Sequence, residues 1–418
     1  MTFLLSLFFF LRPIMFIDIG WLIFGLNITE FFAVFATFIL IGAFILRVVV
    51  SKKLNISVVD FFIMFFIIWC FFIFVLYIDK SNIKDVAKFT IPFFTYIVMK
   101  NVITQRKQYT RLLLLMIYGF FIPVCASAVL ISQGMGLDKV LYWTGLHRYQ
   151  GVYVNPHNLG HCMAFLLMLM VIYTIVCSMD PTIKHLRQRK ALFLFFIVLG
   201  TLALYCLYKS YVRTSLIGMF IFVYYYLFKR NKRMLIILTG ILGILGMIFA
   251  AVLYTIFFDM VDSAKGRDKA ENFGSGRPYI WKHNLNEFSK LPLDGMLAGV
   301  GVGNRKTHES KSVGGGDVWN SHNDFLEVMM QTGIVGLIIY LGMQLCIFRK
   351  IRQLEGKEKY VFLALFLAVN FMNFVSNSYI TRFGLGQIYY AVLAYIELPI
   401  YDYTKDSDKS EAQEFNDY

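Results

Sequence analysis

Residues 57–78 read SVVDFFIMFFIIWCFFIFVLYI, twenty-two positions interrupted by a single charge, Asp60. About 20 apolar residues in a helix suffice to cross the hydrocarbon core of a bilayer. Runs of the same character recur along the chain, near 3–24, 30–50, 86–99, 112–132, 159–179, 191–208, 214–228, 234–258, 325–348, 360–377 and 384–401. The composition agrees: of 418 residues, 58% are hydrophobic and 17% aromatic. Only 16% are charged, against about 25% in a soluble domain. A water-soluble globular protein is therefore excluded. The expected fold class is all-α, a polytopic membrane protein with about twelve transmembrane helices and one large extracytoplasmic loop.

The short connections set sidedness. Every second one is basic: Lys52 and Lys53; Lys100, Arg106, Lys107 and Arg111; Lys184, Arg187, Arg189 and Lys190; Lys229, Arg230, Lys232 and Arg233; then Arg349, Lys350, Arg352, Lys357 and Lys359. Basic loops mark the cytoplasmic side, so both termini are expected in the cytoplasm. The same asymmetry accounts for the net charge of +14 without a nucleic-acid partner. The start of the chain is apolar, but Arg12-Pro13 interrupts it and no small-residue cleavage site follows. It reads as an uncleaved first span and not as a signal peptide. The six cysteines all lie within apolar runs and form no CxxC pair, so buried thiols are expected, not a disulfide or zinc framework.

Four units follow: an N-terminal transmembrane bundle of about nine helices (1–258), a large extracytoplasmic catalytic loop carrying an amphipathic helix (259–324), C-terminal transmembrane helices (325–401) and an acidic cytoplasmic tail (402–418). Residues 259–322 form the one long hydrophilic stretch, and a loop of that length in a compact bundle is usually functional or disordered. No internal repeat is visible, which weakens an inverted-repeat transporter.

The outer face concentrates the residues able to do chemistry. Arg148 and Asn155-Pro156-His157-Asn158 precede the sixth span. Lys209-Ser210-Tyr211-Val212-Arg213 sits between two spans, in a connection too short to lift Arg213 clear of the bilayer. An ionisable group at that depth is costly and marks a functional position; the plainer alternative is an arginine snorkelling to the headgroups. Gly274-Ser275-Gly276-Arg277 opens a helix-like stretch with Pro278 at its first position. Arg277, Trp281, Leu285 and Phe288 fall near one face. Its N-terminus suits an anion; the alternative is a loop helix with a surface arginine. His322 sits where a span resumes, with Ser321 as expected N-cap and Asp324 in the first turn. A histidine at a helix start near arginines stays neutral and can accept a proton, or it merely caps the helix.

Several motifs do not lead to chemistry. Gly299-Val300-Gly301-Val302-Gly303 lacks the strand–helix context of a nucleotide loop, and no Gly-Lys-Ser/Thr follows it. The Gly314–Gly316 run belongs to the same loop. His157 and His161 have i,i+4 spacing, but Asn158 replaces the glutamate of a zinc protease motif and no third ligand is evident. No metal and no cofactor are expected. The lack of a paired carboxylate argues against glycosidase chemistry. Arginine forks on an outward face match phosphate oxygens, which points to a diphosphate carried by a membrane lipid.

Taken in order, these pieces resemble the O-antigen polymerase/ligase superfamily of integral membrane glycosyltransferases, over about residues 101–400. The resemblance rests on Arg148-x-x-Gly151, Asn155-Pro156-x-Asn158-x-Gly160, Ser210-x-x-Arg213, Gly276-Arg277, Pro292-x-x-Gly295, the glycine run, and His322-Asn323-x-x-Leu326 followed by Thr332-Gly333-x-x-Gly336. It implies transfer of a glycan from undecaprenyl diphosphate to an acceptor hydroxyl at the outer face of a bacterial cytoplasmic membrane. It implies catalytic roles for His322, Arg213 and Arg277, with Arg148, Asn155, Lys209 and Asn323 binding the lipid diphosphate or glycan. The implied partners are the lipid-linked donor, an acceptor that is another lipid-linked repeat unit or lipid A core, membrane lipids, a chain-length regulator and a flippase, with no nucleic acid. His157 stands where many relatives carry Asn, and the resemblance gives it no role. The Arg148…Asn155-Pro156 stretch is the more polymerase-like; a ligase acting on lipid A core or protein, and a flippase, are the competing expectations.

Overall fold

A computed structural model describes residues 1–18, 20, 22–23, 26–78, 83–140, 147–179, 190–237, 239–240, 277–303, 321–376 and 382–398. Gly274–Gly276, Gly314–Gly316, the tail 402–418, most of the ninth expected span and much of the long loop lie outside the described residues.

The helices are α1 (Thr2–Leu11), α2 (Ile28–Ser51), α3 (Val58–Leu76), α4 (Ile83–Val102), α5 (Arg106–Ser132), α6 (Pro156–Met179), α7 (Lys190–Ser210) and α8 (Arg213–Arg230). Two short helices, α9 (Arg277–Ser289) and α10 (Leu293–Ala298), precede α11 (Asp324–Gln353), α12 (Gly356–Val375) and α13 (Phe383–Leu393). Among the described residues, strands are confined to two small antiparallel hairpins, β1 (Leu22–Ile23) with β2 (Leu26–Asn27), and β3 (Leu137–Val140) with β4 (His147–Tyr149).

Seven of the described helices are long and apolar enough to cross a membrane: α2, α3, α5, α6, α7, α11 and α12. The remaining expected spans differ for identifiable reasons. The first, 3–24, breaks where Pro13 cannot continue α1, and a 3-10 turn, Ile14–Phe16, follows. Arg12 there is buried, donates from Nε to Gln387 at 2.8 Å, and lies over the rings of Phe16 and Phe383. α4 and α8 form at the fourth and eighth expected positions but carry charges. α13 stops after eleven residues and passes into a 3-10 turn, Ala394–Glu397.

α6 is the hub. Its span is 89% buried, against 22% for α2 and for α7. It packs against α5, α7, α8 and α12, while α11 lies on α3, and α13 on α4. Phe193, Leu194, Ile197 and Leu204 of α7 stay exposed as an apolar belt, the surface expected where lipid is the solvent. At the end of the bundle bearing the basic loops, several cations are structural. Lys100 pairs with buried Asp60, Arg106 with Glu358 at 3.2 Å, and Lys350 with Glu397 at 3.2 Å. Tyr395 and Tyr96 hydroxyls donate to Glu358 and Glu397.

Candidate functional site

Five of the helices that begin at the opposite end of the bundle carry the residues of interest. Arg213 is the first residue of α8, Arg277 the first of α9, and His157 lies in the first turn of α6. Asn323 is the N-cap of α11, directly after His322, and Arg382 is the N-cap of α13. Their electrostatics tie them together. Arg382, Arg148, His322 and Arg277 all act on His157, Arg277 and Arg382 act on His322, and Arg213 acts on Arg277. Helix N-termini carry partial positive charge, so cations placed there raise the potential further. Helix starts of this kind suit an anion.

Each helix start is anchored by short-range chemistry. The Asn155 side-chain oxygen accepts from the backbone N–H of Asn158 at 2.9 Å, capping α6 ahead of Pro156. Asn323 accepts from the N–H groups of Phe325 and Leu326 at 2.9 and 3.0 Å. Both residues, expected to bind substrate, thus have capping work. Asn323, not Ser321, caps α11, because Ser321 directs its hydroxyl to the Glu327 carboxylate and to the Asn323 carbonyl. Glu327 also accepts from Gln331 at 2.6 Å. This buried acid beneath the histidine loop escaped sequence reasoning.

His322 adopts a left-handed backbone, φ 50°, a conformation that non-glycine residues take at a cost and that concentrates at functional positions. The loop is held from α9, whose Trp281 indole donates to the Ser321 carbonyl at 2.9 Å. Trp281 also packs on Phe374 at the end of α12, with ring centroids 5.5 Å apart. A helix forms over Arg277–Ser289, with Trp281, Asn284 and Phe288 turned inward; Leu285, expected on the same face, is exposed. Burial and the charges of Arg277 and Arg382 push the His322 imidazole down to about 4, with Glu327 opposing them. Burial and Arg213 lower Arg277, and burial lowers Arg148; both stay ionised at neutral pH because guanidinium starts so high.

The turn joining α7 to α8 places Arg213. Tyr211 takes φ 48°, the Val212 N–H donates to Ser210 Oγ at 3.3 Å, and Arg148 Nε donates to the Ser210 carbonyl at 3.3 Å. Arg148 of β4 is thereby fixed beside the same turn. Lys209, in the last turn of α7, lies 6.0 Å from the Tyr208 ring centroid. One turn into α8, Ser215 Oγ is 2.9 Å from His161 Nδ1, and the His161 ring stacks with that of His157 at 6.3 Å between centroids. Among the described residues no group of three or more His, Cys, Asp or Glu side chains converges to hold a metal ion.

The glycine run serves α10 and α11. Val300 N–H donates to the Met330 carbonyl at 3.0 Å and Gly303 N–H to Gln331 Oε1 at 3.0 Å. α11 is kinked at Gly333, φ 69°, and a Cβ there would strike the Leu297 carbonyl. A Cβ on Gly299, φ 78°, would meet the backbone of Gln331 and Gly333. Only glycine permits that approach. The run is therefore a backbone clamp on the helix that follows His322.

Sequence reasoning named Arg213, Arg277, Arg148 and His322, and the fold brings them together; it missed Arg382 and gave His157 no role. A family model described as O-antigen ligase matches residues 192–341. That segment includes Lys209, Arg213, Arg277, His322 and Asn323 and leaves out Arg148, Asn155 and Arg382. Over 154 residues the chain is 27% identical to the exopolysaccharide production protein ExoQ of Rhizobium meliloti, covering 34% of each chain. The match thus spans about a third of that relative's length. Both findings support the O-antigen polymerase/ligase superfamily and fit a multi-pass membrane protein.

Proposed function

We propose that the chain polymerises a surface polysaccharide, such as O-antigen, capsule or exopolysaccharide, by moving a glycan from undecaprenyl diphosphate to the hydroxyl of another lipid-linked repeat unit. The observation that supports this reading is a set of helix starts at one end of the bundle, where Arg277 and Arg382 act on His322, Arg148 acts on the neighbouring His157, and Arg213 acts on Arg277. Arginine forks and helix starts suit a diphosphate, and a histidine pushed down to about 4 stands as free base at neutral pH. In the proposed step the acceptor oxygen forms a bond to the anomeric carbon as the bond to the diphosphate oxygen breaks. His322 takes the hydroxyl proton, Arg213 and Arg277 hold the charge that develops on the leaving diphosphate, and the anomeric configuration inverts. The reaction belongs on the outer face of a bacterial cytoplasmic membrane, with both termini inside.

The second reading is a ligase that hands the finished chain to lipid A core or to protein, favoured by the description of the matching family. A deletion strain complemented with wild type, Arg213→Ala or His322→Ala, its surface glycan resolved by size, separates the two. Single repeat units on the usual acceptor mark a polymerase, and long chains stranded on the carrier lipid mark a ligase. An unchanged glycan in the deletion strain removes both readings, and loss of all surface glycan with lipid-linked units trapped inside marks a transporter instead.

A further inference from the structure

At the other end of α6, among the basic loops, a cleft of about 400 Å³ opens between four helices. One face of α6 lines it with Met170, Thr174, Ile175 and Ser178, joined by Phe196 of α7 and Tyr226 of α8. Both hydroxyls on that face are spent on their own helix, Thr174 on the Met170 carbonyl and Ser178 on the Ile175 carbonyl. The wall therefore presents hydrocarbon. Phe196, which lines it, is flanked along α7 by the exposed apolar Phe193, Leu194 and Ile197.

The rim has the opposite character. Arg230, in the last turn of α8, and Lys357, in the first turn of α12, both line the cleft. Arg230 lies within electrostatic reach of Tyr226. Among the described residues no acidic side chain lines it, and Glu358 next to Lys357 is engaged elsewhere by Arg106 and Tyr395. The N-terminus of α12 has no side-chain cap bond, which adds donors beside Lys357.

We propose that this cleft is a binding site for an anionic phospholipid of the inner leaflet, its phosphodiester between Arg230 and Lys357 and one acyl chain along α6. Basic pockets between transmembrane helices on the cytoplasmic side suit such headgroups, and the cleft joins that charge to an apolar slot. It is separate from the arginine cluster: twenty-one residues of α6 between His157 and Ser178 correspond to about 31 Å of helix. The inference does not rest on the catalytic reading, and its choice of the inner leaflet rests on the orientation proposed above.

The test is native mass spectrometry of the purified full-length chain, titrated with phosphatidylglycerol or with phosphatidylcholine of the same acyl chains. The expected result is at least tenfold preference for phosphatidylglycerol in the wild type. Arg230→Gln/Lys357→Gln abolishes the preference, and Thr174→Trp, which fills the slot and leaves the charges, abolishes binding as well. Lys232→Gln/Arg233→Gln removes as much charge outside the cleft and leaves binding intact. Equal binding of the two lipids overturns the proposal. So does an equal loss in the Lys232/Arg233 control, which would mean general surface attraction, or undiminished binding in Thr174→Trp, which would mean a headgroup resting on the rim.

Discussion

At the scale of single residues, the account turns on His322 and Arg213. Because burial and two arginines push the imidazole down to about 4, the base form persists well into acid. The rate should hold from neutral pH to about 5 and fall only below about 4, whereas an unperturbed histidine would lose it near 6.5. The sign for stability follows from the same shift. The unfolded chain takes up this proton first, so His322 costs stability progressively as pH falls from about 6.5 to about 4, and the cost levels off below that. A pH–rate profile beside a pH series of melting temperatures checks both. Arg213→Ala should lower turnover by about two orders of magnitude, the order seen when an oxyanion-stabilising donor is lost, at unchanged membrane level; activity within threefold of wild type would remove it from the mechanism. The sequence made these two residues legible because a charge in a short connection and a histidine at a helix start are locally anomalous. Arg382 gave no such signal. It is one arginine among forty basic residues, and its place beside His322 arises only when α13 folds back on α4. Asn155 and Asn323 were recognisable as polar residues near the site, but the bonds that occupy their oxygens depend on where each helix starts.

At the scale of elements, the site is positioned by contacts from neighbouring segments. Trp281→Phe keeps the packing on Phe374 and removes the bond to the Ser321 carbonyl. A hydrogen bond contributes about 1 kcal/mol, so the loop bearing His322 should be less well held and turnover should fall roughly fivefold without loss of protein. A fall in protein with normal specific activity would show instead that Trp281 acts only in folding. Gly333→Ala must fit a Cβ against the Leu297 carbonyl at a backbone angle that side chains rarely adopt. A cost of about 2–4 kcal/mol is expected, read as a lower melting temperature in detergent. The apolar runs made most long helices legible, since length and hydropathy alone decide them. The broken first span was half legible: Arg12-Pro13 announced an interruption, but not that Arg12 would be buried against Gln387 and two rings. The glycine run was set aside as a nucleotide loop on the sequence, and its use as a clamp on α11 needed the fold.

For the whole molecule, two ends of contrasting chemistry define the account. One gathers helix N-termini and arginines; the other pairs Lys100, Arg106 and Lys350 with buried acids. Those pairs mean that the basic loops are partly structural cations, so a charge count alone overstates the sidedness signal they carry. Single cysteines introduced at Leu285 and Glu355, in a chain whose native cysteines are replaced, should be labelled by an impermeant thiol reagent from opposite sides of the membrane, Leu285 from outside. Labelling of both from one side would contradict the proposed orientation. The most direct test of the central claim uses purified chain in proteoliposomes with labelled glycan on undecaprenyl diphosphate and an acceptor repeat unit. Longer glycan together with release of undecaprenyl diphosphate is expected from the wild type, with both products reduced about a hundredfold or more in Arg213→Ala and in His322→Ala at equal protein. Turnover near that of the wild type in both variants would contradict the claim.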